Sequence, residues 1–323
     1  MKRKAGVSFI CIMVSVMLVF ALTTLYTYSR KQLAGIKSDP VVFGATYMTL
    51  NNPFFEVIDQ EMRNVIEANG DIMITRDPQL SLQRQIEQIK EMMDQGCQVL
   101  IVNPVDSKGL EDVLKEAKSR GIDIIAVDTN VYHGNDFVDY TIVSDNYKAG
   151  VLCAQDMMKH KKQADILILK HEAAYSAVER IQGFMDTIQG KSQYHIVDIV
   201  ECEGQLEKAM PFVAQRLQEG MQFDVVMSLN DPSAMGSIAA LQEMDALDGV
   251  LVYGVDGTPE AKVLVKDGFM MGTVAQYPKK MAEKAVDSAY RLLRNETNIA
   301  EENIDVKMIN QDNIDEFSLE GWQ

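Results

Sequence analysis

Short apolar runs recur along most of the chain, at residues 41–46, 71–75, 99–102, 123–127, 166–169, 195–200, 224–228, 250–253 and 271–275. Each has the length of a buried strand. Between them lie segments with helical spacing. In residues 83–93 the apolar set Ile86, Ile89, Met92 and Met93 falls at steps of three and four, while Arg84, Glu87, Lys90 and Glu91 point elsewhere. The same pattern predicts helices over residues 54–68, 110–120, 178–188, 210–217, 235–244 and 281–293. Strands alternating with helices over this many units imply parallel sheets covered on both faces, so the fold class is α/β and doubly wound. The 323 residues are about twice a usual domain length, which predicts two packed lobes.

One stretch breaks the alternation. Lys2, Arg3 and Lys4 precede a segment, residues 5–29, without a charged residue, and its apolar heart at residues 7–26 is long enough to span about 30 Å as a helix. Basic residues before it favour a cytoplasmic N-terminus, and Tyr26, Tyr28, Arg30 and Lys31 suit the far interface. Residues 1–29 are therefore expected to be a membrane anchor rather than a cleaved signal, since the run ends without the small residues of a cleavage site. A lipid anchor is disfavoured because Phe9 and Ile10 precede Cys11.

Charge sharpens the picture. Six of the 31 basic residues but only one of the 47 acidic ones lie in the first forty positions, leaving −21 on the body, which repels nucleic acid. Cys97, Cys153 and Cys202 have no zinc spacing and read as buried thiols, and no metal or cofactor is expected.

Doubly wound sheets bind ligands beyond the carboxyl ends of their strands. The residues following the apolar runs are unusually polar: Asn51 and Asn52 with Phe54 and Phe55, then Asn103, then Asp128 with Thr129 and Asn130. The second half offers Asn230 and Asp231, Asp256, and Gln276. Amides and carboxylates beside paired aromatics suit a polyhydroxylated ligand with an apolar ring face, which describes a sugar. Helix capping is the competing explanation for each residue singly. Catalysis finds no support. His133, His160, His171 and His195 are scattered, His160 and His171 flank lysines and read as surface residues, and no nucleophile elbow or phosphate loop occurs. Asp128 and Asp256 as a glycosidase pair lack a partner nucleophile, so they read as hydroxyl acceptors.

Several runs carry a family likeness: Thr49-Leu-Asn-Asn-Pro-Phe-Phe55, Ile101-Val-Asn-Pro104, Ser144-Asp-Asn146, Glu179-Arg-Ile-Gln-Gly-Phe184, Asn230-Asp231, Gly254-Val-Asp-Gly-Thr-Pro259 and Val274-Ala-Gln-Tyr-Pro278. In this order they resemble the ribose-binding branch of the type I periplasmic sugar-binding proteins, from about residue 40 to the end. The tail Met308-Ile-Asn-Gln-Asp-Asn-Ile314 resembles that family's closing strand and turn.

The resemblance implies two lobes joined by three crossings, with a linker at residues 30–40, a first lobe of residues 41–143 and 277–305, and a second of residues 144–276 and 306–323. It implies that Phe54 and Phe55 stack on the sugar, that Asn52, Asn103 and Asp128 bind hydroxyls, and that the second lobe supplies Arg180, Asn230, Asp256 and Gln276. Arg180 enters by resemblance alone. Three positions depart from the family pattern: Thr129 stands where pentose binders carry arginine, Gly204 where they place an aromatic, and Met48 where a small hydroxyl residue is usual. These departures predict a ligand other than ribose. The implied role is extracytoplasmic delivery of a monosaccharide or polyol to an ABC permease. The alternative is a membrane-tethered sensor signalling to a partner such as a histidine kinase. A repressor of this fold is excluded, because an apolar span occupies the place of its DNA-binding helices.

Overall fold

In strand β1 (Val42–Thr46) consecutive side chains point to opposite faces of a sheet. Phe43 meets Tyr290 with ring centroids 5.5 Å apart, whereas a Cβ on Gly44 would meet the Met92 sulfur at 2.9 Å. The helices carrying Tyr290 and Met92 therefore cover opposite faces. The computed structural model describes residues 39–296 and 300–323, together with Thr23.

The first sheet holds β1, β2 (Ile72–Arg76), β3 (Val99–Val102), β4 (Asp123–Val127), β5 (Tyr140–Ser144) and β11 (Ala300–Ile304), in the order β11-β5-β4-β3-β1-β2, all parallel. Helices α2 (Leu82–Asp94) and α3 (Glu111–Ser119) close one face over a core of Ile89, Met92, Leu100, Val102, Leu114 and Ile124. Helices α1 (Pro53–Ala68) and α9 (Pro278–Leu293) pack together, and α9 lies against β4 and β5.

The second sheet is built from β6 (Ala164–Lys170), β7 (Tyr194–Glu201), β8 (Val225–Ser228), β9 (Leu251–Asp256), β10 (Gly272–Ala275) and β12 (Lys307–Asn310), in the order β12-β10-β9-β8-β6-β7. Its helices are α4 (Asn146–His160), α5 (Tyr175–Ile188), α6 (Leu206–Gln218), α7 (Asp231–Glu243) and α8 (Pro259–Lys266). The chain passes between the sheets after β5, after β10, and between β11 and β12.

The predicted strands and helices are present, with ends shifted by a few residues. The expectation of purely parallel sheets is corrected at β12, which runs antiparallel to β10. The spacing did not predict β5, β11, β12, α4 or α8. Ala-Glu-Glu-Asn-Ile in β11 has no apolar alternation, because it is an edge strand held by its backbone to β5. Helix α4 buries Ala149, Gly150, Cys153, Ala154, Asp156 and Met157 against both the second sheet and α5, so no single apolar stripe marks it.

The apolar span expected at residues 7–26 lies outside the described residues apart from Thr23, and among the described residues no helix is long and apolar enough to cross a membrane. Cys97, Cys153 and Cys202 are buried free thiols.

Candidate functional site

The carboxyl ends of strands from both sheets converge on one cavity of about 40 Å³, well below the usual range for small-molecule sites. Asn52, Phe54, Phe55, Asp128, Arg180, Asn230, Asp256 and Gln276 line it. Asn103 does not. It stands one layer behind, fully buried, donating from Nδ2 to Asp128 Oδ2 at 3.1 Å and accepting the Met48 amide at 3.0 Å. Its expected direct contact with a hydroxyl is replaced by support of Asp128.

The first sheet supplies the apolar wall. Pro53 opens α1, where a missing N–H costs nothing, and the Asn52 side chain accepts the Phe54 amide at 3.0 Å. Capping Asn52 thus aims the aromatic pair. Phe54 and Phe55 meet edge-on at 5.5 Å, and Trp322 packs edge-on against Phe54 at the same distance. Asp128 follows β4 with φ 68°, a conformation that disfavours most side chains and that aspartate tolerates comparatively well.

The second sheet supplies the polar wall. Arg180 on α5 is buried, donating from Nε to Asn146 Oδ1 at 2.8 Å and from Nη1 to the Leu229 carbonyl at 3.0 Å. Its guanidinium lies 3.9 Å from Asp128 Oδ1 and 3.7 Å from Asp256 Oδ1, between carboxylates of opposite lobes. Asp256 ends β9 with φ 142°, accepts Gln276 Nε2 at 2.7 Å, and leaves Oδ2 buried without a partner, as is Gln276 Oε1. Asn230 caps α7 by accepting the Ser233 amide at 3.0 Å and donates to the Gly204 carbonyl at 3.0 Å. For Asn52 and Asn230, capping and lining the cavity coexist.

Burial pushes Asp128 up to about 6, with Arg180 and Asn103 opposing. Burial also raises Asp256 well above the usual carboxylate range, assisted by the negative charge of Asp231 and opposed by Arg180 and Gln276. Buried acceptors without partners, one guanidinium and an aromatic face together form a surface for a neutral molecule bearing several hydroxyl groups. Among the described residues, no cluster suited to a metal ion occurs.

Four contributors escaped the sequence reading. His171, expected on the surface, is buried and lines the cavity. It follows β6, the topological position that singled out Asn103 and Asp128. Ser176 bonds Thr129 between the two walls, Thr129 Oγ1 donating to Ser176 Oγ at 2.6 Å. Gln323 donates to the Gly257 and Gln276 carbonyls at 3.0 and 3.2 Å, bracing the strand ends that carry Asp256 and Gln276. It and Trp322 come from the far end of the sequence, where no local signal marks a site.

Comparison with known proteins supplies the family context. Residues 43–297 match the model of a periplasmic binding protein domain. A ribose import binding protein of Salmonella typhimurium is 28% identical over 263 residues, covering 81% of this chain and 88% of the relative. A D-ribose/D-allose-binding protein of Pseudomonas aeruginosa is 26% identical over 219 residues, covering 66% and 68%. The crystal structure of a Caulobacter myo-inositol binding protein bound to myo-inositol is similar with a TM-score of 0.80 at 25% identity, covering 86% of this chain and 96% of that one.

Proposed function

Because this chain belongs to the periplasmic binding protein family, whose members bind solutes rather than transform them, we propose that it takes one monosaccharide or cyclic polyol between its lobes and delivers it to an ABC permease. The observation that carries this reading is the cavity wall itself: the unpartnered acceptors Asp256 Oδ2 and Gln276 Oε1 facing the edge-packed Phe54 and Phe55. Hydroxyl groups satisfy the first, and the apolar face of a sugar ring covers the second.

The lobes, residues 41–143 with 277–305 and residues 144–276 with 306–323, would move as bodies about the three crossings. Contacts already join them. Besides Thr129 to Ser176, the Ser107 amide donates to the Ala173 carbonyl at 2.9 Å and the Tyr175 amide to Ser107 Oγ at 3.1 Å. Such bonds across a cleft support a closed arrangement that ligand binding favours. Thr129 spends its hydroxyl on Ser176, and no side chain extends from Gly204, so the ligand is read as a polyol other than ribose.

The test is a thermal-shift screen of the full-length chain with D-ribose, D-allose, D-xylose, myo-inositol and amino acids. One of the polyols at 100 times its dissociation constant is expected to add about 2.7 kcal/mol of stability. An amino acid that raises the midpoint while every polyol fails overturns the reading.

The charge-free run at residues 7–26 further supports tethering to the membrane with the binding body outside, which raises the effective concentration beside a membrane partner. Native protein is expected in the membrane fraction with its N-terminal segment intact by mass spectrometry. Recovery in the soluble fraction with a new N-terminus near residue 30 rules the tether out.

A further inference from the structure

We infer that His171 is a ligand-contacting residue, its Nε2 accepting a hydroxyl hydrogen of the bound polyol, and that it sets specificity on a wall that lacks a stacking aromatic. The inference rests on the solute-binding reading of the cavity and names a contact within it.

His171 is 8% exposed, lines the cavity, and has Nε2 buried without a partner. Native structures seldom leave such a nitrogen unsatisfied, so something else is expected to occupy its lone pair. The tautomer follows from the other nitrogen. Nδ1 lies 3.1 Å from Glu201 Oε1. That carboxylate also accepts the amides of Glu203 at 3.1 Å and Glu172 at 2.9 Å, so it serves as an acceptor and Nδ1 carries the proton. Strand register makes this pairing, since Lys170, just before His171, stands beside Glu201 in the β6–β7 ladder. Glu201 is outside the cavity lining, which leaves Nε2 as the ring nitrogen available to the cavity. Glu201 is then a positioning residue.

The neighbouring wall explains why this nitrogen matters. Gly204 has φ 70°, and a Cβ there would meet Asn230 Nδ2 at 3.0 Å. A bulky side chain is strained at that position, so no aromatic ring closes the second-lobe side. Among the described residues, His171 is the only ring which that lobe contributes to the lining. Where an aromatic would select an apolar ring face, an imidazole acceptor selects a hydroxyl.

The experiment uses the full-length chain and whichever of D-ribose, D-allose, D-xylose or myo-inositol binds it most tightly, together with the monodeoxy derivatives of that compound, all by calorimetry. His171→Leu is expected to weaken the parent compound by about tenfold or more, and His171→Gln, which can still accept a hydroxyl, to stay within about threefold of wild type. One monodeoxy derivative should bind wild type and His171→Leu equally. His171→Asn keeps a polar group beside Glu201 but is too short to reach the cavity, and it should reproduce the leucine result if that variant does not fold. Parent affinity unchanged in these variants, or an equal loss for the parent and every deoxy derivative, overturns the inference by making the histidine absent from the contact or merely structural. If no polyol binds wild type, the reading of the cavity falls and this contact with it.

Discussion

Asp256→Asn is expected to weaken polyol binding by about tenfold to a hundredfold at pH 7.5 while leaving the midpoint of the free chain unchanged or raised. The amide keeps an oxygen for the Gln276 donor at 2.7 Å and matches the shape of the aspartate that holds this backbone, whereas alanine would remove the acceptor altogether. What it removes is the charge. Burial raises the pKa of Asp256, so the folded chain holds this proton more tightly than the unfolded chain does. Stability from this group therefore falls as pH rises from about 4 through the folded value, and the variant escapes that loss. Binding runs the other way, because ligand hydroxyls donate to the ionised form and affinity rises with pH through the raised values, about 6 for Asp128. Calorimetry should find wild type up to about tenfold weaker at pH 5 than at pH 7.5. The gap to Asp256→Asn should narrow on acidification, since a protonated aspartate resembles asparagine. A variant that keeps its affinity and melts lower would make the carboxylate structural.

How far the sequence could be read depended on whether a residue's role follows from its own neighbourhood. Asp128 and Asp256 were legible because each ends an apolar run, and chain ends of parallel strands face the crevice whatever the rest of the fold does. Asn103 obeyed the same rule, yet its amide turns to Asp128, a choice made by packing between adjacent strands rather than by position along one. Arg180 was invisible to helical spacing. A buried guanidinium on α5 looks like a solvated one until Asn146, on another helix, is seen to hold it. His171 was obscured by the lysine before it, although the strand-end rule applied equally there. Trp322 reaches Phe54 across most of the chain length, a pairing that only the tertiary fold determines. The parallel core and the edge strands β2 and β7 were legible from apolar runs, whereas β11, held by its backbone to β5, was not, and β12 was marked only by the family likeness of its tail.

Gly150→Ala is expected to destabilise the chain by about 3 kcal/mol or more and to abolish tight binding, although alanine is the better helix former by about 1 kcal/mol. Helices α4 and α5 cross on two glycines. A Cβ at Gly150 would lie 1.8 Å from the Arg180 carbonyl oxygen, and one at Gly183 would lie 2.0 Å from the Tyr147 carbonyl oxygen. Both obstacles are backbone, so no rotamer change relieves them, and the helices must separate by about 1.5 Å to restore ordinary contact. That displacement acts directly on the residue whose carbonyl is struck. Arg180 is tied to Asn146 on α4 at 2.8 Å and to Leu229 at 3.0 Å, and moving α5 away from α4 strains both bonds while withdrawing the guanidinium from between Asp128 and Asp256. Two buried carboxylates then face each other with less compensation, which penalises the closed arrangement more than the fold as a whole. Melting curves should drop by about 6 to 12 °C, and calorimetry at a temperature where the variant remains folded should still find binding lost. A midpoint within about 2 °C of wild type would mean that the helices can part freely and that the glycine crossing does not set the position of Arg180.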